Sequence, residues 1–285
     1  MILITDSGST KCDWIALDEQ GEQVFRTRTM GLNPATLSSE ELILRITGNE
    51  ELCKHKDNIT KVFFYGAGCG TQKPRQNLHK ILSDFFSDAA ILVKEDTAAA
   101  VYACIDDHSP GVVCIMGTGS NCCFYDGKNI EQRVTSLGYI LMDEASGNWF
   151  GKELIRGYYF NIMPEYLRIS FASQFNLEAD EIKRNLYKEP NPNAYLASFA
   201  TFIFQNLEEV YIQKVIRKGL RRFAKHMILQ FKDEIQRYPV HFAGSIAYFS
   251  KDQLSIIAEE FGFKVGNIVR RPIEGLVEYH KQTLV

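Results

Sequence analysis

The sequence lacks the features that would direct a chain to a membrane or to nucleic acid. The longest apolar runs in its 285 residues, such as Val112–Met116, fall far short of the ~20 residues that cross a bilayer. Asp6 interrupts the N-terminal apolar stretch too early for a signal peptide, so we expect a cytoplasmic protein. Because 32 basic residues are balanced by 35 acidic ones, we expect neither nucleic acid nor a membrane as a partner.

The patterns of several enzyme classes are also missing. The seven cysteines form no C-x₂-C pair and no cluster with histidines at zinc spacing, and without an export signal we expect them to be reduced thiols. There is no H-E-x-x-H helix, which argues against a metalloprotease, and no G-x-S-x-G elbow, which argues against a serine hydrolase. There is also no G-x-x-x-x-G-K-[ST] loop, so a nucleotide would have to bind in another way.

Short apolar runs separated by turn residues open the sequence. The runs at Ile2–Thr5, Cys12–Leu17 and Gln23–Thr29 are predicted strands of an antiparallel meander. The first two flank Asp6-Ser7-Gly8-Ser9-Thr10, so the glycine of this segment lies in a hairpin turn and is not followed by a helix.

The same pattern recurs in the second half of the sequence. The run Val112–Met116 is followed by Gly117-Thr118-Gly119-Ser120-Asn121 and by the strand Cys122–Tyr125, and strand-like sequence resumes at Ile130–Val134. Gly8 and Gly119 are 111 positions apart, which is a reasonable length for a domain. We therefore predict two related domains, each opening with a strand, a glycine turn and a second strand.

The remaining segments indicate an α/β protein, because strands alternate with helices. The predicted strands outside the two meanders are Val62–Tyr65, Ala90–Val93 and Pro239–Ala243. The predicted helices are Gln76–Phe86, Asp96–Cys104, Asp252–Phe261 and Ile273–Thr283, with a strongly helical region at 148–232.

Several polar residues could carry chemistry, although each has an ordinary structural explanation. The amides of a tight turn form a concavity that binds anions, and Asp6 beside such a turn could hold Mg²⁺, but Asp-x-Gly is also a common hairpin turn. The amides of Gly117–Asn121 could likewise bind an anion, or the segment could be an ordinary hairpin turn. Asp96 and Asp143 each precede helical sequence, where a carboxylate can cap the helix. Asp96 also follows a predicted strand, and the end of a strand is where α/β proteins place chemistry.

Six short segments together carry more information than any one of them. They are Asp6–Lys11, Gly31-Leu32-Asn33, Asp96-Thr97-Ala98, Gly117–Cys122, Gly138 with Asp143-Glu144-Ala145-Ser146, and Gly244-Ser245. In this order they resemble the N-acetylglucosamine kinase-like members of the BadF/BadG/BcrA/BcrD ATPase family. This family is part of the superfamily of actin-like, chaperone and sugar-kinase ATPases.

The resemblance implies an α/β fold of two ribonuclease-H-like domains, with a mixed sheet in each and a cleft between them. Residues 1–110, joined by the helix 273–285, would form the first domain. Residues 111–272, with a helical insertion, would form the second.

The resemblance also implies a role for particular residues. Asp96 would be the catalytic base, and Asp6 would be catalytic through Mg²⁺, which it would hold. ATP would be bound by Ser7, Gly8, Ser9, Thr10, Lys11, Gly117, Thr118, Gly119, Ser120, Gly244 and Ser245. The sugar would be bound by Asn33, Asp96, Thr118, Asn121, Asp143, Ser146 and Gly147.

The implied activity is transfer of phosphate from ATP to a hydroxyl of an amino sugar, with the chain acting as a homodimer. Where vertebrate-type N-acetylglucosamine kinases have His-Trp after the asparagine, this chain has Pro34-Ala35, so glucosamine is as reasonable a substrate as N-acetylglucosamine. Two alternatives remain open. One is an ATPase that activates a dehydratase or reductase through an iron–sulfur cluster, and the other is a sensor that binds sugar or nucleotide without turnover.

Overall fold

The structure is a computed structural model that describes residues 1–105 and 107–284. The chain forms two compact units, one made of residues 1–107 and 271–285 and the other of residues 108–270. The sequence analysis places these two boundaries at 110/111 and 272/273. In the part of the chain that the structure describes, no helix is long and apolar enough to cross a membrane.

The first unit is built on a mixed five-stranded sheet. Its strands are β1 (Ile2–Ser7), β2 (Lys11–Leu17), β3 (Gln23–Met30), β4 (Lys61–Gly66) and β5 (Ala90–Glu95). The strand order is β3-β2-β1-β4-β5, in which β1 to β3 form an antiparallel meander and β1, β4 and β5 run parallel. The α-helices of the first unit that precede the second unit in the chain are α1 (Ser39–Thr47), α2 (Glu50–His55), α3 (Gln72–Phe85) and α4 (Asp96–Cys104).

The second unit repeats this architecture. Its strands are β6 (Gly111–Met116), β7 (Ser120–Tyr125), β8 (Ile130–Glu131), β9 (Val240–Ala243) and β10 (Val265–Val269). The order β10-β9-β6-β7-β8 combines an antiparallel meander of β6 to β8 with the parallel strands β6, β9 and β10. The two sheets therefore have the same topology, and the prediction of two ribonuclease-H-like domains is confirmed.

The second unit contains about half of its residues in helices. These helices are α5 (Gly147–Tyr159), α6 (Glu165–Gln174), α7 (Ala179–Tyr187), α8 (Pro192–Ser198), α9 (Ala200–Gln205), α10 (Val210–His226), α11 (Ser245–Phe249) and α12 (Lys251–Phe261). The final helix, α13 (Pro272–Leu284), returns to the first unit and packs against α4. There, a Cβ on Gly275 would lie 2.7 Å from the Cα of Ala103, so the two helices approach closely.

Each sheet carries its own hydrophobic core. In the first unit Leu3, Trp14 and Phe64 are fully buried, because alternate residues of a strand point to the same face. In the second unit Phe242 of β9 and Phe150 of α5 lie in a larger cluster, to which the sheet and the helices both contribute. The two separate cores agree with the division of the chain into two units.

Several elements differ from their predicted forms for local physical reasons. Helices α1 and α2 were not predicted, although Ser38 and Asn49 cap them through side-chain oxygens that accept from Glu41 N and Leu52 N. Strand β8 ends at Glu131, where a strand to Val134 was predicted. Strand β10 was missed because its interior carries Gly266 and Asn267, residues that are unfavourable in strands, and its register shifts there.

Candidate active site

The first glycine turn joins β1 to β2 in the first unit. The amide of Gly8 donates to the carbonyl of Lys11 (2.9 Å), and the Ser7 hydroxyl accepts from Leu32 N (2.9 Å). The amide of Gly31 donates to the carbonyl of Thr10 (3.0 Å). The segment that follows β3 therefore holds the first glycine turn through these hydrogen bonds. Two of the six motifs, Asp6–Lys11 and Gly31-Leu32-Asn33, thus lie together.

Gly31 allows this close approach because it has no side chain. A Cβ at residue 31 would lie 2.3 Å from the carbonyl oxygen of Gly8, a distance at which the backbone of the turn would have to move. The shape of the first turn is therefore coupled to a glycine more than twenty residues away from it.

Asn33 lies against the same turn. Its amide nitrogen donates to the Ser9 hydroxyl (3.3 Å), and its Oδ1 accepts from the amide of Ala35 (3.0 Å). Gly68, with φ +80°, packs so closely that a Cβ there would lie 2.0 Å from Oδ1 of Asn33. The structure thus places a residue predicted to bind sugar beside one predicted to bind phosphate.

Asp6 lies at the carboxyl end of β1 and faces another carboxylate across the hairpin. Its partner in the β1–β2 register is Asp13, which is buried and receives two bonds from Arg28, at 2.8 Å from Nε and 2.6 Å from Nη2. The ammonium of Lys11 lies 3.7 Å from the other oxygen of Asp13. Burial and then the charge of Asp13 raise the pKa of Asp6 to about 7, while Lys11 acts in the opposite direction.

Asp96 lies at the corresponding end of β5, as the first residue of α4. The residue at the N-cap position is Glu95, so the interpretation of Asp96 as the capping residue was wrong. Burial is the main cause that raises the pKa of Asp96 to about 7, followed by the charges of Glu95 and Asp6. The charge of Asp6 therefore acts on Asp96 at one edge of the sheet, where parallel strands end.

The loop after β4 adds residues that the sequence analysis did not single out. A Cβ on Gly70 would lie 2.6 Å from Oε1 of Glu95, so this loop packs directly on the acidic group. Burial and the charges of Asp96 and Glu95 raise the pKa of the Cys69 thiol to about 12. The glycine-rich sequence Gly66-Ala67-Gly68-Cys69-Gly70 after a predicted strand was the signal that could have identified this loop.

The second glycine turn joins β6 to β7 in the second unit. The amide of Gly117 donates to the carbonyl of Gly119 (2.9 Å), and the carbonyl of Gly117 accepts from Gly147 N (2.8 Å). The Ser120 hydroxyl donates to the carbonyl of Glu144 (2.9 Å). The loop before α5 therefore holds this turn as the segment after β3 holds the first one.

Asp143 is the acidic residue at the second turn. It is buried, and its Oδ1 accepts from the amide of Ser120 (3.3 Å). Burial raises the pKa of Asp143, whereas hydrogen bonds from Asn148 and Ser120 lower it. Asp143 and Ala145 both have positive φ, at 67° and 56°, a backbone conformation that is uncommon for residues other than glycine, asparagine and aspartate.

The other residues predicted for the second unit have mixed surroundings. The Ser146 hydroxyl is fully buried and accepts from Trp149 N (3.2 Å), so it caps α5. Asn121 is buried with its Oδ1 bonded to the amide of Cys122 (2.9 Å). Gly244, with φ 117°, adjoins the second turn, since a Cβ there would lie 2.3 Å from the carbonyl oxygen of Met116, whereas Ser245 is exposed.

The predicted site residues thus form two groups, one in each unit. The group of the first unit consists of Asp6, Ser7, Gly8, Ser9, Thr10, Lys11, Asn33 and Asp96. The group of the second unit consists of Gly117, Thr118, Gly119, Ser120, Asn121, Asp143, Ser146, Gly147, Gly244 and Ser245. Asp13, Arg28, Glu95, Cys69 and Asn148 are neighbours of these groups that the sequence analysis missed.

The residues present fit a magnesium ion bound together with nucleotide phosphates. Among residues 1–105 and 107–284, no three His, Cys, Asp or Glu side chains form a metal cage. Mg²⁺ usually keeps several waters and uses one or two carboxylates plus substrate phosphates, so the carboxyl of Asp6 is a sufficient protein ligand. Burial is the main cause that raises the pKa of Asp6, followed by the charge of Asp13, and a bound cation would offset the second of these causes.

The repeated sheet topology with a glycine turn after the first strand of each unit defines the actin-like ATPase fold of the sugar kinases. No protein-family model and no curated protein matches the chain. Among solved structures, a Porphyromonas gingivalis protein that carries the provisional name N-acetylglucosamine kinase is 35% identical, with a TM-score of 0.90 over 100% of both chains. The chain belongs to the same family as this P. gingivalis protein.

More distant structures share the fold alone. A Chromobacterium violaceum protein, also provisionally named N-acetylglucosamine kinase, is 13% identical with a TM-score of 0.73 over 98% of both chains. A glucokinase of the ROK family from Streptomyces griseus, solved with glucose and AMPPNP, is 13% identical with a TM-score of 0.60. That match covers 98% of this chain and 97% of the glucokinase.

Proposed function

We propose that the protein is an ATP-dependent kinase that phosphorylates a hydroxyl of an amino sugar such as N-acetylglucosamine or glucosamine. The observation that carries the proposal is the environment of Asp96, a half-buried residue at the end of a parallel strand whose carboxyl pKa is raised, mainly by burial, to about 7. A base works best when its pKa lies near the working pH, so this carboxylate suits proton removal from a sugar hydroxyl.

In the proposed reaction Asp96 takes the proton of the attacking hydroxyl. The hydroxyl oxygen forms a bond to the γ-phosphorus of ATP, and the bond from that phosphorus to the bridging oxygen breaks. ADP leaves with the electron pair of the broken bond. Phosphoryl transfer depends mainly on positioning and on neutralising charge, which the amides of two glycine turns can provide.

The phosphate side of the site uses backbone amides and Asp6. The first turn, Ser7 to Lys11, and the second turn, Gly117 to Ser120, would bind phosphate oxygens, with Gly244 and Ser245 near the adenosine. Mg²⁺ held by Asp6 would neutralise charge on the β- and γ-phosphates. The AMPPNP and glucose bound to the S. griseus glucokinase, which shares the fold, support ATP and a sugar as substrates.

The sugar side would use Asn33, Asp96, Thr118, Asn121, Asp143, Ser146 and Gly147. A polyol exchanges hydrogen bonds with water for bonds with the protein, so several polar groups are needed to bind it. Asn33 is already held by Ser9 and Ala35, which favours a preorganised contact. The provisional name of the 35% identical P. gingivalis protein supports an amino sugar.

An ADP-release assay across hexoses and amino sugars tests the proposal. We expect sugar-dependent turnover with an amino sugar, and a loss of about 10²- to 10⁴-fold in kcat for Asp96→Asn, the range for removal of a general base. Asp84→Asn, at an exposed aspartate of α3, is the matched control and retains full turnover. Absence of sugar-stimulated ADP release, or full activity in Asp96→Asn, contradicts the proposal.

A further inference from the structure

We propose that Asn148 is a positioning residue, which holds the second glycine turn and the carboxylate of Asp143 in one fixed arrangement. Its importance for turnover rests on the proposed kinase function, whereas its control of the turn does not. Nothing in the pattern of the sequence singles out this residue, since it lies inside the first turn of α5.

The geometry joins three segments through one side chain. Asn148 is fully buried, and its Nδ2 donates to the carbonyl of Thr118 (2.7 Å) and to Oδ2 of Asp143 (2.9 Å). The backbone amide of Asn148 also donates to the carbonyl of Thr118 (3.1 Å). The start of α5, the second glycine turn and the loop that carries Asp143 are therefore connected through Asn148.

The chemistry of this position requires an amide. Both partners of Nδ2 are acceptors, so the NH₂ group has to face them, and a carboxylate or an alkyl group could not replace it. Among the residues that the structure describes, Oδ1 of Asn148 has no hydrogen-bond partner, so the contacts of this side chain with the turn and with Asp143 are made through Nδ2.

The bond to Asp143 also controls a charge. Burial raises the pKa of Asp143, and the Asn148 bond is the first of the contributions that lower it, ahead of Ser120 N and Lys152. Asn148 holds Oδ2 of Asp143, while the amide of Ser120 holds Oδ1. Loss of the Asn148 bond would therefore leave Oδ2 without this donor and favour the protonated acid.

A matched control exists in the same unit. Asn185 in α7 also donates from Nδ2 to a backbone carbonyl and to a carboxylate, the carbonyl and Oε1 of Glu181, each at 2.8 Å. Asn185→Leu therefore removes the same two kinds of bond at a partly buried site away from the turn. Comparing Asn148→Leu with Asn185→Leu distinguishes the effect of a position beside the second glycine turn from the general effect of losing two such hydrogen bonds.

Hydrogen exchange without ligand tests the structural part of the inference, independently of any kinase activity. In Asn148→Leu we expect the amide of Ser120 to exchange at least about tenfold faster than in the parent protein, because its acceptor, Asp143, loses the bond from Asn148. In Asn185→Leu this amide keeps its parent rate. Unchanged exchange in Asn148→Leu overturns the inference, whatever the enzyme does.

Kinetics test the functional part. For Asn148→Leu we expect kcat/KM for MgATP to fall about 10- to 100-fold, as for a displaced catalytic group, and the acid limb of its pH profile to move to higher pH. The Asn148→Asp variant should fail similarly, because a carboxylate cannot donate to the carbonyl of Thr118 or to Asp143. Parent-like kinetics in Asn148→Leu overturns the positioning role.

If the parent protein lacks kinase activity, the proposed function fails but the inference is still decided. A fluorescent ATP analogue then replaces the assay, and Asn148→Leu should bind it more weakly than Asn185→Leu. Equal binding by the two variants overturns the positioning role.

Discussion

The two glycine turns share one backbone plan but are stabilised by different chemistry. Each joins two antiparallel strands, and each is supported from behind by a distant segment, at Gly31 in the first unit and at Gly147 in the second. Beside the first turn the residue pair in register is Asp6 with Asp13, whereas the second hairpin has Ile115 with Asn121 in the corresponding place.

Charged side chains therefore stabilise the carboxylates beside the first turn, whereas amide hydrogen bonds stabilise the carboxylate beside the second turn. The carboxylates of the first hairpin are balanced by Lys11 and Arg28 on the same meander. The carboxylate of the second turn comes from Asp143, which is bound by amide donors. The comparison teaches that a repeated fold can retain the backbone plan of a glycine turn while the electrostatics around the turn diverge.

Removal of the charge of Asp6 should give the largest effect. We expect Asp6→Asn to lower kcat/KM for MgATP about 100-fold or more, because charge stabilisation of the moving phosphoryl group is lost. The measurement is ADP release at saturating sugar. Asp126→Asn, at an exposed turn aspartate of the second unit, is the control with parent activity, and similar losses in both variants would contradict a special role for the first hairpin.

Replacing a glycine by alanine should change the free energy of unfolding differently at the two turns. Gly31→Ala should lower the free energy of unfolding by about 1–3 kcal/mol, since the new Cβ would meet the backbone of Gly8. Gly117→Ala meets nothing within 4 Å and should change stability slightly, with a gain of about 0.4–1 kcal/mol. Urea unfolding measures both values, and a parent-like stability of Gly31→Ala would show that the contact at Gly31 is unimportant.

The smallest effect concerns the coupling of Asp13 to Asp6. The charge of Asp13 disfavours the ionised form of Asp6 and so raises its pKa. In Asp13→Asn that repulsion is lost and Lys11 is freed toward Asp6, and both changes lower the pKa. The acid limb of kcat/KM should therefore move to lower pH, by up to about one unit.

A pH profile between 5 and 9 measures this shift, with the range chosen around the pKa of about 7 for Asp6. Asp57→Asn, at an exposed aspartate of the first unit, leaves the limb in place. An unchanged or upward shift in Asp13→Asn would show that the two carboxylates of the hairpin do not interact as described.

Local features of the sequence predicted much of the fold. The strands β1, β2 and β6 were predicted to within two residues and α4 with its observed bounds, because turn residues mark their ends. Strand β10 escaped prediction because its pairing with β9 compensates for a glycine and an asparagine in its interior. Helix α3 begins at Gln72, earlier than the predicted Gln76, since Pro74 is tolerated in the first turn of a helix.

The sequence by itself determined the two hairpins and their glycine turns, since these depend on neighbouring residues and on the period of a strand. Only the tertiary structure decided which distant side chains meet them: Arg28 at Asp13, Gly31 at Gly8, and Asn148 at Thr118 and Asp143. The reason is that such contacts depend on strand order and close packing, which bring together residues whose separation in sequence carries no periodic signal.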